Sequence, residues 1–292
     1  MNAPMTLRAR TKAPVKDVHQ ALTDPAAMRV WLAEHAEVEP GRYVFWGRYT
    51  PEGETPRQRL SHLDDTSVRF DWTLDGEETT VELSLAEDEG ATIITVSQTN
   101  LPDLGESIGG TGSRHVMSTY WSMAIANLVD HVEGREITLL CDFTDPAMRA
   151  DVLIDAPRGE VYQSLIDSEK FRRWFGANVG IEPHVGGRFA MGGFELDQTP
   201  AKIVELVPDS KCVLSWADGQ MTASWELADS GGKTRLTFVQ SGFGDADYGA
   251  WLGWMSGVAE LRRFLELPGW RPIWVSVDIE GMPEGMLYSD QA

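Results

Sequence analysis

The groups best suited to proton transfer near neutral pH are six histidines, His19, His35, His62, His115, His131 and His184. They stand singly, with no paired spacing and no cysteine beside them, so no metal-ligand set is expected. His184, Asp247 and Tyr248 fall where loops or strand edges are expected. With Gln240 they are the groups from which an acid–base pair would be drawn, although each also reads as a solvated surface residue. Ser113 and Ser256 lack the strand–turn–helix setting of an activated serine. Gly109-Gly110 and Gly186-Gly187 are followed by no Lys-Ser/Thr helix start, so phosphate cradling is not supported.

Aromatic residues carry more. Of eleven tryptophans, Trp31 and Trp174, like Trp121 and Trp254, occupy equivalent places in an internal repeat, which suits a core role. Trp72, Trp216 and Trp225 are inward on expected strands, as core or as the wall of an apolar pocket. Gln98 and Gln240 continue the inward registers Ile94-Val96 and Leu236-Phe238. Either they serve a strand end or they orient a ligand.

The repeat organises everything else. A shift of 143 positions lays Ala13–Pro40 on Ala156–Pro183 without a gap, and ten of these 28 positions are identical. They include Ala13/Ala156, Pro14/Pro157, Leu22/Leu165, Asp24/Asp167 and Trp31/Trp174. Identity at that level over an ungapped block reads as two copies of one domain. Each copy begins with a strand, Met5–Lys12 or Asp151–Asp155, and then a proline suited to a first helical turn. Two short helices follow, with Asp24 or Asp167 as the cap between them. Two-residue alternation then marks antiparallel strands: Tyr43/Phe45, Val68/Phe70/Trp72, Val81/Leu83/Leu85 and Ile94/Val96 in the first copy. In the second copy the strands are expected at Gly187–Phe194, Ala201–Leu206, Lys211–Ala217, Met221–Ala228 and Thr234–Gln240. A long helix ends each copy, Arg114–Glu133 and Tyr248–Glu266, matched at a shift of 133. The net ten extra residues of the first copy are placed in part in the glycine-rich loop Leu101–Thr111. After each long helix an alternating run follows, Ile137–Phe143 and Ile273–Ile279, which reads as an added edge strand or as a draped extension. Domain bounds of 1–140 and 148–268, with an extension over 269–292, follow from this.

A net charge of −20 argues against nucleic acid and anionic membrane surfaces as partners. No stretch of about 20 apolar residues is present to span a bilayer. Two cysteines, one per half, suit a reducing compartment, and a cytoplasmic location is expected.

The second copy resembles the domains named for the activator of the heat-shock-protein ATPase, members of the START/SRPBCC superfamily that share the helix-grip fold with the birch-pollen allergen. The residues that carry the resemblance are Ile154-Asp155-Ala156-Pro157, Val161, Leu165, Trp174-Phe175, Gly186-Gly187-Arg188-Phe189, Val204, Trp216, Gly232, Thr234-Arg235-Leu236, Trp254 and Leu261. The first copy keeps Ala13-Pro14, Trp31-Leu32, Thr92 and Trp121 and reduces the Gly-Gly-Arg-Phe turn to Gly41-Arg42-Tyr43. The resemblance implies an α+β chain of two helix-grip domains, each a curved antiparallel sheet wrapped around a long C-terminal helix. It also implies a hydrophobic small molecule held between sheet and helix, and it carries over no catalytic motif, metal or cofactor.

Gly249, Gly253 and Gly257 recur every four residues on the last helix, at about 1 kcal/mol each relative to alanine. Close packing or room for a bulky ligand would offset that. The first copy has Tyr120 and Ala124 where the second has Gly253 and Gly257, so the second domain is expected to be the better ligand site. Its candidate walls are Trp174, Phe189, Met191, Trp216, Trp225 and Phe238, with Gln240, Tyr248, Gly253, Trp254 and Gly257. The expected function is binding of an aromatic small molecule. A polyketide cyclase-like acid–base enzyme, and a chaperone-associated protein that binds a protein partner or a second copy, are the alternatives.

Overall fold

In the computed structural model the residues described are 2–107, 110–242, 248–283 and 286, with the side chain of residue 218 left aside. The first half runs β1 (Met5–Thr11), α1 (Val15–Thr23), α2 (Pro25–Trp31), β2 (His35–Glu39), β3 (Arg42–Trp46), β4 (Gln58–Leu63), β5 (Ser67–Leu74), β6 (Glu77–Asp88) and β7 (Ala91–Gln98). A single turn, α3 (Leu104–Ser107), sits in the glycine-rich loop, and a 3₁₀ turn at Ser113–Val116 leads into α4 (Met117–Val132). The second half repeats this with β8 (Arg149–Ile154), α5 (Arg158–Ile166), α6 (Ser168–Phe175), β9 (Val179–Ile181), β10 (Arg188–Met191), β11 (Ala201–Val207), β12 (Lys211–Trp216), β13 (Met221–Ser230), β14 (Lys233–Ser241) and α7 (Tyr248–Glu266). A last strand, β15 (Trp274–Asp278), follows.

The residues shared by the repeats make the same bonds twice. Asp24 Oδ1 accepts from Ala26 N at 2.9 Å, and Asp167 Oδ1 accepts from Lys170 N at 2.9 Å, each capping the second short helix. Trp31 Nε1 donates to Ala21 O at 3.0 Å, and Trp174 Nε1 donates to Ser164 O at 2.8 Å, each pinning that helix to the one before it. Thr92 and Thr234 donate to the carbonyls of Ala13 and Ala156 at 2.6 and 2.8 Å, tying an inner strand to the start of the first helix. The edge register is also shared: Met5 faces Gln98, and Gln240 N donates to Met148 O at 2.9 Å.

The sheets differ at their margins. One sheet has the order β15-β1-β7-β6-β5-β4, the other β8-β14-β13-β12-β11-β10-β9, and β2 and β3 form a separate pair. The alternating run at the C-terminus therefore does form a strand. It lies antiparallel on β1, with Leu7 opposite Val277, so this strand is bound into the sheet of the first half.

Its counterpart Ile137–Phe143 does not form a strand, contrary to one reading of its alternation. That segment must connect α4 to β8, and its polar backbone is satisfied elsewhere. Leu139 O accepts from Asn127 Nδ2 at 2.7 Å, and Phe143 N donates to Arg48 O at 2.8 Å. Cys141 is buried there, and burial pushes its thiol up to about 12.

The halves meet along α4 and α7, which carry a buried ionic cluster. Arg263 Nη1 lies 2.6 Å from Asp130 Oδ1, and its Nη2 lies 2.7 Å from Glu133 Oε2. Arg135 bridges Asp130 at 3.0 Å and Glu266 at 2.7 Å. Glu260, 2% exposed, lies 4.0 Å from Arg263 Nε. Burial pushes its carboxyl up to about 7, with repulsion from Asp130 adding to the rise and Arg263 opposing it.

The folded protein thus holds the Glu260 proton more tightly than the unfolded chain does, whose value is the ordinary 4.5. Stability therefore falls as pH rises from there towards 7, by at most about 1.4 kcal/mol per pH unit. Glu260→Gln removes this slope. Urea midpoints of parent and variant are expected to diverge in the variant's favour between pH 5 and pH 7.5; a constant offset at both would contradict the assignment.

Candidate functional site

Each half packs aromatic rings between its sheet and its last helix. In the second half these are mostly residues expected to wall a pocket. Trp225, on β13, has its ring 5.2 Å from Phe238 on β14 and 5.1 Å from Trp254 on α7. Phe189 on β10 lies 5.4 Å from Phe171, and Phe171 lies 4.4 Å from Trp174. All these rings are buried, and their contacts occupy the space beneath α7.

Packing explains one glycine of the α7 stripe, Gly257. A Cβ on Gly257 would meet the Phe175 ring at 2.6 Å and the Trp174 ring at 3.2 Å. A Cβ on Gly253 would meet Thr119 Cγ2, on α4, at 3.5 Å. Room at 257 is thus filled by aromatic rings, and 253 faces the other half. Of the two alternatives for the stripe, close packing is the one that Gly257 supports.

Other candidates lie apart from that cluster. Trp216 sits at the end of β12 in an open groove with Lys202, Val204 and Met221. Met191 is partly buried against the core. Tyr248, at the start of α7, donates to Phe143 O at 3.0 Å, and its ring lies 4.8 Å from the Phe143 ring at the junction of the halves. His184 is exposed on the β9–β10 turn, with Nδ1 3.1 Å from Val185 O. Gln240 is buried on β14. Asp247 lies outside the described residues. His184 and Tyr248 each meet a backbone carbonyl and not one another, so the proposed acid–base set is not assembled among the described residues. No group of three or more His, Cys, Asp or Glu side chains there is placed to hold a metal ion.

In the first half the interior has a different chemistry. Tyr43 on β3 stacks on Phe70 at 5.5 Å, Phe45 meets Trp72 edge-on at 5.2 Å, and Trp72 meets Tyr120 of α4 at 5.9 Å. Gln98 is bonded at both ends of its amide and structural: its Oε1 accepts from Trp121 Nε1 at 2.8 Å, and its Nε2 donates to Thr79 Oγ1 at 2.9 Å. Three neighbouring polar atoms are not served. Tyr43 Oη, Trp72 Nε1 and Tyr120 Oη are buried and make no hydrogen bond among the described residues. Burial holds both phenols far above their usual range, and the Tyr43 phenol adds to the rise at Tyr120. A buried donor without a partner costs about 1–3 kcal/mol. Tyr43 and Tyr120 were legible only as inward positions, because the loss of their hydroxyl partners depends on which strands and helix close over them.

Two curved antiparallel sheets, each holding its own last helix, define a pair of helix-grip domains. The chain belongs to the family described as activator of Hsp90 ATPase homolog 1-like, whose model matches residues 12–133 and again 155–266. Among solved structures, the chain is similar to DynU16, described as a putative protein in the dynemicin biosynthetic locus. That match has 14% identity and a TM-score of 0.37, and covers 91% of this chain and 100% of the other. It is similar also to the Aha1 dimer from Colwellia psychrerythraea, at 19% identity and a TM-score of 0.37, over 41% of this chain and 96% of that one. A conserved protein of unknown function from Enterococcus faecalis, EF2215, matches at 18% identity and a TM-score of 0.37, over 43% and 74%. No curated protein matches the chain. No helix among the described residues is long and apolar enough to cross a membrane.

The two glycines of α7 give opposite expectations. Gly257→Ala overpacks against two rings and should destabilise by about 1–3 kcal/mol. Gly253→Ala has ordinary contact distance and gains helix propensity, so it should be neutral or stabilising by up to about 1 kcal/mol. Thermal melts of the two variants decide; equal losses would show that the rings do not set the spacing.

Proposed function

We propose that this protein is a binding module that takes an aromatic small molecule into a sheet–helix interior, with the first domain supplying the polar contacts. The observation that carries the reading is the trio Tyr43 Oη, Trp72 Nε1 and Tyr120 Oη, buried together without partners. Aromatic walls supply area and ring stacking, and a few convergent polar groups set orientation, which is the usual economy of a small-molecule site. Two phenols and an indole N–H match a flat ligand that carries hydrogen-bond acceptors.

The second domain was expected to be the main site, with Trp174, Phe189, Trp225, Phe238 and Trp254 as its walls. In this proposal it is the second, more apolar compartment. Entry to the first interior displaces Phe143, whose ring lies 6.2 Å from Tyr120 and which belongs to the irregular segment after α4. Both cysteines are free and buried, which suits an intracellular setting for such a carrier or sensor.

Native mass spectrometry of freshly purified full-length protein is expected to show a bound molecule of low mass, and extraction should yield an aromatic compound. Tyr43→Phe/Tyr120→Phe should lose that adduct, while the ligand-free protein gains about 1–3 kcal/mol for each unserved hydroxyl removed. A bare polypeptide mass in the parent, together with no stability gain in the variant, would overturn the proposal.

A further inference from the structure

The last helices α4 and α7 are equivalent elements of the repeat, related by a shift of 133, and they pack directly on each other. Their contacts hold nearly that offset from end to end. Gly253 lies against Thr119, Arg263 bonds Asp130, and Glu266 bonds Arg135. A constant offset means that the helices run side by side in the same direction with equivalent residues facing. Two identical subunits around a two-fold axis would produce the same geometry.

At the buried end of this seam the two halves are not alike. Asp130 and Arg263 occupy one and the same position of the repeat, and their side chains, 0% and 5% exposed, form a 2.6 Å pair. Glu133 and Glu266 are likewise equivalent, and each takes an arginine from the opposite half: Arg263 at 2.7 Å and Arg135 at 2.7 Å. Pairing two first halves in this manner would bury Asp130 against Asp130. Two second halves would bury Arg263 against Arg263. Asp130 would then keep only Arg135 of its own half and Arg263 only the more distant Glu260, each against a like charge, and such repulsion is how an interface rejects a wrong partner.

We propose that the Asp130–Arg263 pair makes the last helix of each half an interface that accepts only the unlike half, in the same chain or in a second copy. The tandem chain is then a fused pair whose partner choice is written in one charged position of the repeat, whatever its interior binds.

Full-length Asp130→Arg and Arg263→Asp chains, carrying different affinity tags, test this. Each alone has like charges at the seam. Together, the unaltered first half of the Arg263→Asp chain can rebuild the native seam with the unaltered second half of the Asp130→Arg chain. Refolding the two as an equimolar mixture is expected to give a dimer bearing both tags, at about tenfold or more over either variant refolded alone, in line with a discrimination of at least about 1.4 kcal/mol. Size-exclusion chromatography with light scattering reads the result. If a variant fails to fold by itself, recovery of the two-tag dimer from the mixture still supports the proposal, and continued aggregation of the mixture overturns it. A mixture that behaves as the sum of its two parts overturns it as well.

Discussion

The parallel packing of α4 against α7 is the contact on which the rest of the molecule depends. Each helix presents one side to its own sheet and another to its counterpart in the other domain, so neither has a face free for solvent over most of its length. That double burial accounts for residues that neither fold nor function would otherwise require. Arg263, an unusual residue to find 4% exposed, is retained because the Asp130 and Glu133 carboxylates converge on it. Removing one member of such a set is far more harmful than never having built it, since the others would remain buried without charge compensation.

Around that seam the two domains have diverged in opposite senses. The second fills its interior with Phe and Trp rings among aliphatic side chains, and Gly257 lets α7 sit down on Phe175 and Trp174. The first closes with tyrosines in the same layer and accepts an energetic penalty for hydroxyls left unserved. One fold therefore presents two interiors of different polarity, and the seam fixes how the two stand to each other. The C-terminal strand adds a second tie, because β15 leaves the second domain and completes the sheet of the first.

Much of this was legible in the sequence. The repeat, the caps Asp24 and Asp167, the strand alternation and the bounds of α7 all follow from local rules: a carboxylate accepts from nearby amides, and apolar residues recur at the period of their element. Even the duty of Trp31 and Trp174 could be anticipated from their equivalence. The family follows from the same residues. What could not be read was anything that depends on a partner distant in sequence. Gln98 looks along the chain like any inward polar residue, and only the fold sets it between Trp121 and Thr79. The runs after α4 and α7 look alike. One becomes a strand because an edge is within reach, and the other becomes a link because the chain must continue.

The sequence by itself determined the helix-grip architecture and its duplication, because periodicity, capping and identity between copies act over short spans. Tertiary structure decided which aromatic residues are plugs and which leave polar atoms orphaned. It also decided that Gly257 serves packing and that Asp130 meets Arg263. Each of these rests on the distance between groups brought together from far apart in the chain, and burial, hydrogen bonding and charge pairing all depend on that distance.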